Sequence, residues 1–206
     1  PPDRWCGTCK QTMSYGYGLS ATPLQIAHAY ATLGNGGSAI APTFVKGQRN
    51  EPVQVLSPEI AREVVRMMQT VTEPGGTATH PALLGYHVAG KTGTARKSKD
   101  GGYSREYFAF FAGLVPVDNP RFAMAVVIDN PTAGSYYGGL VSAPVFHNVM
   151  EGALRLMDVP PDDIETWIAA QEKSEAKRVA ALPAQTVNVT APVDISQPVV
   201  PPAVLQ

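Results

Sequence analysis

Apolar residues recur at helical spacing twice in the first third of the chain. Leu24, Ala27 and Ala31 with their neighbours predict a helix from Thr22-Pro23 to Leu33. A hydroxyl cap and a proline at the first position open it, and Gly34 is placed to stop it. Asn35-Gly36-Gly37 then turns the chain into an extended stretch around Ile40 to Val45. Ile60, Val64, Met67, Met68 and Val71 form the apolar stripe of a second helix and read as core. Ser57-Pro58 opens that helix, Glu59 suits its dipole, and Glu73-Pro74-Gly75-Gly76 ends it.

Three strands follow: Tyr86–Thr94, Tyr107–Pro116 and Arg121–Asn130. The short turn Val117-Asp118-Asn119-Pro120 predicts an antiparallel hairpin of the last two. The nearly continuous apolar run 122–128 suggests a strand covered on both faces. Ser142-Ala143-Pro144 caps a long helix whose Val145, Val149, Ala153 and Leu156 are expected to pack on the sheet. Helices on an antiparallel sheet make the fold class α+β. From Asp158 the composition turns polar, so 158–182 reads as an extension able to form a helix. The Pro-, Val- and Ala-rich residues 183–206 are expected to be disordered.

The alternation within 89–95 gives this pattern chemical content. In an extended segment Lys91 and Gly93 point to one face and Thr92 and Thr94 to the other, with backbone N–H groups along the edge. Gly93 lets a chain or ligand lie close, and hydroxyls and amides together can hold an anionic, extended peptide end. A rival reading starts from Gly85 to Thr92, which spells the phosphate-cradling G-x-x-x-x-G-K-[ST]. That loop needs a helix beginning at the lysine. Thr94 to Tyr107 (TARKSKDGGYSREY) has a glycine pair and no apolar residue at helical spacing, so it reads as turn or loop.

Composition narrows the remainder. The net charge is −1 with no block of like charges, which gives nucleic acid no foothold. No run of 18 apolar residues marks a membrane span. Cys6-Gly7-Thr8-Cys9 imitates a redox C-x-x-C but has no strand before it, and two thiols leave zinc half-coordinated. A loop disulfide and two free thiols both remain open. His28, His80, His87 and His147 show no metal spacing and read as surface or satisfied core residues. No cofactor or metal is expected.

Lys-Thr-Gly at 91–93 is one of three signatures of penicillin-binding proteins and class A β-lactamases. Around it, Ser14-Tyr15-Gly16-Tyr17-Gly18-Leu19, Thr22-Pro23-Leu24-Gln25-Ile26-Ala27 and Pro74-Gly75-Gly76-Thr77-Ala78 resemble class B penicillin-binding proteins in order. So do Gly85 through Ala95, Tyr136-Tyr137-Gly138-Gly139 and Ser142-Ala143-Pro144-Val145-Phe146. The series, over about 14–157, is most similar to the septal cell-division type. The resemblance implies that 1–157 is the C-terminal portion of a transpeptidase domain, with the last three strands of a five-stranded sheet.

It further implies D,D-transpeptidation of peptidoglycan through a serine acyl-enzyme that β-lactams trap. By resemblance Lys91 supplies positive charge and helps proton traffic, and Thr92 and Thr94 bind the substrate carboxylate. The Thr94 backbone N–H supplies half of the oxyanion hole, and Gly93 permits close approach. Tyr136 and Tyr137 match a cleft wall in relatives, although as aromatics they read equally well as core. Implied partners are a stem peptide ending in D-Ala-D-Ala, β-lactams, and divisome membrane proteins including a septal glycosyltransferase. The implied location is the periplasmic face of a bacterial inner membrane.

One departure is large. The family orders S-x-x-K, S-x-N and K-T-G, and this chain holds only the last. Ser174-Glu175-Ala176-Lys177 spells S-x-x-K, but after Lys91 and in a charged stretch that reads as a solvated helix face. The chain is therefore expected to hold no nucleophile, to resist acylation by β-lactams, and to leave one strand edge and an apolar face uncovered. A serine β-lactamase relative and a non-catalytic scaffold module are the alternatives.

Overall fold

A computed structural model describes residues 7–14, 16, 18–78, 82–99 and 102–180. Contacts divide the chain into residues 1–170 and 171–206. The first unit begins with α1 (Cys9–Ser14) and α2 (Pro23–Gly34). Thr22 caps α2 as the pattern predicts, and Gln25 reciprocates: its N–H donates to Thr22 Oγ1 at 3.2 Å, and its Oε1 accepts from the Thr22 N–H at 2.8 Å. Gly34 closes α2 without serving as a left-handed cap. It lets the helix meet the sheet, for a Cβ there would lie 3.0 Å from Pro120 and 3.3 Å from Leu114. The stretch expected from Ile40 to Val45 is not a strand; the pairing comes earlier, in a two-residue ribbon of β1 (Ser38–Ala39) with β2 (Val53–Gln54).

Helix α3 (Pro58–Gln69) starts where predicted, with Ser57 Oγ accepting from the Ile60 N–H at 3.4 Å. Its buried face is corrected in part: Val71 is buried and Met68 packs on the core as expected, but Ala61 and Val65 are buried while Ile60 and Met67 face outward. The sheet that follows has the order β3-β4-β5, all antiparallel. Its strands are β3 (Ala89–Lys99), β4 (Gly102–Val115) and β5 (Phe122–Asp129). The segment read as a loop after Thr94 instead carries β3 and β4 outward as a long hairpin arm, paired to Lys99↔Gly102, with an irregularity between Arg96 and Ser98. Both faces of this arm are wet, so it needs no apolar alternation. Lys97 pins it, salt-bridging Asp129 and lying 3.6 Å from Glu106. Strand β5 is a half-buried edge, and the strand covered on both faces is β4, from Phe111 to Val115.

Two cores flank the sheet. On one face Phe111 and Val115 pack with Phe146, Met150 and Leu154 of α5 (Ala143–Leu156), the Phe111 and Phe146 rings meeting edge to face at 4.9 Å. The expected packing face of α5 is thus corrected: Val145, Val149 and Leu156 are exposed, one step around the helix from the residues used. Ser142 is also reassigned, since its hydroxyl donates to the Ala109 carbonyl at 2.9 Å and caps nothing. On the other face Leu114 and Ala89 meet Val65, with Leu33 and Met68 packed around them.

Beyond α5, Asp162 ties three segments together. Its carboxylate accepts the N–H groups of His87 (2.8 Å), Val117 (2.9 Å) and Asp118 (3.3 Å). Helix α6 (Ile164–Ala180) follows. Of the second unit, the described residues 171–180 continue this helix, with 171–178 exposed and an Arg178–Glu175 pair, and Ser174 lies there in solvent. The 183–206 segment lies outside the described residues.

Candidate active site

The backbone register fixes which groups of β3 face outward. The Asn130 N–H donates to the Tyr107 carbonyl at 2.8 Å, so the odd residues of β4 turn their backbone groups toward β5. The even residues therefore bond to β3, pairing Ala112 with Lys91 and Phe110 with Gly93. Thr92 and Thr94 are left with N–H and C=O on the open edge. The Lys91 ammonium bends to that edge, donating to the Thr92 carbonyl at 2.9 Å. No helix begins at Lys91, so the phosphate-loop reading is excluded.

The side chains alternate as predicted, with one correction. Gly93 leaves its face open for no incoming chain, because the Phe110 ring from β4 already occupies the place a Cβ would take. On the opposite face the Gly138 N–H donates to Thr94 Oγ1 at 3.2 Å. Gly138 opens the short helix α4 (Gly138–Val141), and a Cβ on it would overlap the carbonyl oxygens of Phe110 and Gly93. This close approach lays Tyr136 and Tyr137 beside the strand. Both rings are partly exposed, which removes the core reading. Tyr136 stacks on Tyr107 at 4.2 Å and lies 4.6 Å from Tyr137. Its hydrogen bond with Tyr137, and then the charges of its phenol neighbours, raise its pKa above the ordinary value, so it is neutral at physiological pH.

Two members of the site escaped the sequence reading. Tyr107 was visible only as a strand start, although its place opposite Arg96 puts it on the Thr94 face. Thr77 was visible within Pro74-Gly75-Gly76-Thr77, and its Oγ1 lies 2.9 Å from that of Thr92. Between Thr77, Gly90, Lys91 and the outer side of α3 runs an open groove of about 610 Å³, walled by Val64, Met67 and Met68.

Among the described residues, His87, Asp118 and Asp162 offer ligand atoms within 4.8 Å of one another. Both Asp162 oxygens already accept backbone N–H groups, which marks the cluster as a structural tie. His147 Nδ1 reaches the Ala82 carbonyl at 3.0 Å, while His28 Nε2 is buried without a partner, against the expectation of a satisfied residue. Cys9 is disulfide-bonded; Cys6 and His80 lie outside the described residues.

A sheet flanked by helices, with a Lys-Thr-Gly-Thr strand exposed at its edge, places the chain with the penicillin-binding and serine β-lactamase proteins. The chain belongs to the penicillin binding protein transpeptidase domain family, whose model matches residues 1–151. It is 47% identical over 165 residues to the peptidoglycan D,D-transpeptidase FtsI of Escherichia coli strain K12, covering 79% of this chain and 28% of that protein. To the probable peptidoglycan D,D-transpeptidase PbpC of Pseudomonas aeruginosa it is 38% identical over 173 residues, covering 83% and 31%. The apo transpeptidase domain of Burkholderia pseudomallei penicillin-binding protein 3 superposes with a TM-score of 0.70 at 41% identity, over 77% of this chain and 49% of that one. The chain thus spans under a third of the curated relatives it matches.

Proposed function

We propose that this chain is the part of a septal peptidoglycan D,D-transpeptidase that carries the substrate-binding strand. Residues 1–157 are then the C-terminal portion of its catalytic domain, and 158–182 an extension. The observation that carries this reading is the open edge of β3, where two hydroxyls, outward backbone groups and an ammonium converge. An extended stem peptide adds to that edge as an antiparallel strand. Thr92 and Thr94 hold its terminal carboxylate, Lys91 supplies positive charge, and the tyrosines wall the cleft.

The nucleophilic serine comes from a segment upstream of these residues, seated on the apolar groove beside Lys91. Its oxygen attacks the penultimate D-alanine carbonyl while the Thr94 N–H holds the developing oxyanion, a contribution of about 3 kcal/mol. An ester forms, the amide bond breaks, and the serine proton leaves with the D-alanine amine. An amine from a neighbouring strand then attacks the ester, forms the cross-link and returns the proton to serine. A β-lactam stops at the ester. From the resemblance to septal class B penicillin-binding proteins we further infer the periplasmic face of an inner membrane and divisome partners, a septal glycosyltransferase among them; among the described residues no helix is long and apolar enough to cross a membrane.

Fluorescent-penicillin labelling of this chain beside a form extended upstream through S-x-x-K tests the reading. Labelling of the extended form alone, abolished when its motif serine becomes alanine, is expected. Labelling of the short chain, or of neither, overturns it.

A further inference from the structure

Thr94 and Thr92 each have a hydrogen-bond partner, of different kinds, that the family motif does not state. A hydroxyl has one proton and two lone pairs, so a donor aimed at its oxygen leaves the proton free to turn elsewhere. For Thr94 that donor is the Gly138 N–H, at 3.2 Å. The Thr92 hydroxyl instead donates to Thr77 Oγ1 at 2.9 Å, and the Thr77 hydroxyl can turn to donate in its place. The loop holding Thr77 is tied to the end of α3, with the Gly76 N–H on the Glu73 carbonyl at 2.8 Å and the Ala78 N–H on the Val71 carbonyl at 3.0 Å. Its other side abuts α4, where a Cβ on Gly139 would overlap the Thr77 carbonyl.

We propose that Thr77 is a positioning residue for recognition of the ligand carboxylate, an inference that rests on the transpeptidase reading of the β3 edge. In the free protein the Thr92 proton can rest on Thr77. When an anion arrives, both hydroxyls turn: Thr77 donates to Thr92 Oγ1, and Thr92 donates to the carboxylate. Each bond polarises the next, and the bond to a charged acceptor gains most. Thr77 therefore acts on the preference for an acid over its neutral ester.

The test uses the protein extended upstream through S-x-x-K and compares acylation rates by benzylpenicillin and by its methyl ester. Thr77→Val is expected to lower the acid-to-ester rate ratio about tenfold, and Thr77→Ser to retain it. Thr77→Ala gives the same comparison at this exposed position should the valine variant not fold. An unchanged ratio overturns the role of Thr77, and so does an equal fall in both rates, which marks a structural contact only. A wild type that takes neither compound overturns the transpeptidase reading and this inference together.

Discussion

The two faces of the sheet are finished to different degrees. On the α5 face, Phe146 is 0% exposed and Met150 and Leu154 nearly so, and every large apolar side chain of Phe111 and Val115 has its partners within the chain. On the α3 face, Val65 reaches the sheet, while Ile60 remains 53% exposed and Met67, which lines an open groove, 58%. Strand β3 lies where the closed side ends and the open side begins. Thr94 is braced from the closed face through Gly138, Thr92 meets Thr77, and the lysine stands at the groove. The difference separates residues that hold the strand in place from residues that await what works upon it.

The most severe way to break the contrast is to hollow the closed side. Phe146→Ala removes a fully buried ring and its edge-to-face partner, which costs about 3–5 kcal/mol. Urea unfolding of this chain is expected to lose its cooperative transition. A variant as stable as the parent would mean that the α5 core is not what holds the sheet together.

A gentler test on the same side uses the Tyr86 hydroxyl, which donates to the Val159 carbonyl at 2.6 Å. Tyr86→Phe is expected to cost about 1 kcal/mol at neutral pH. Burial, and then the charges of Asp162 and Asp158, raise the Tyr86 pKa in the folded protein. A raised pKa favours the protonated, folded form: the contribution is whole below the unfolded value of about 10 and is lost as pH climbs through the folded one. Stability measured from pH 8 to 12 should therefore fall less steeply for Tyr86→Phe than for the parent. Parallel alkaline limbs would place the titration elsewhere.

What could be read from the sequence follows the same division between local and tertiary causes. The caps Thr22 and Ser57, the 117–120 turn and the alternation of Lys91, Thr92, Gly93 and Thr94 are local, and each was legible. The face of α5 was not, and that of α3 only in part. Of the expected stripe Met68 and Val71 pack on the cores, but Ile60 and Met67 do not, Ala61 and Val65 being buried instead, and Val145, Val149 and Leu156 compete with Phe146, Met150 and Leu154. Only the sheet chooses between them. The hairpin arm was missed because a strand wet on both faces has no apolar period. In the site, Phe110 filling the space beside Gly93 and Thr77 reaching Thr92 depend on a register and a loop closure that no local pattern encodes.

Met67 gives the smallest effect and the sharpest reading of the open side. Because its side chain is mostly in solvent, Met67→Ala should change the unfolding free energy of this chain by less than about 0.5 kcal/mol. In the form extended upstream the same substitution should cost about 2 kcal/mol or more, since there the thioether is expected to be buried against the incoming segment. The pair of measurements matters more than either one. A large loss in the short chain would mean that the outer side of α3 already has a partner within it, and the contrast between the faces would fail. A negligible loss in both forms would leave the groove unfilled, and the nucleophile would have to reach Lys91 by another route.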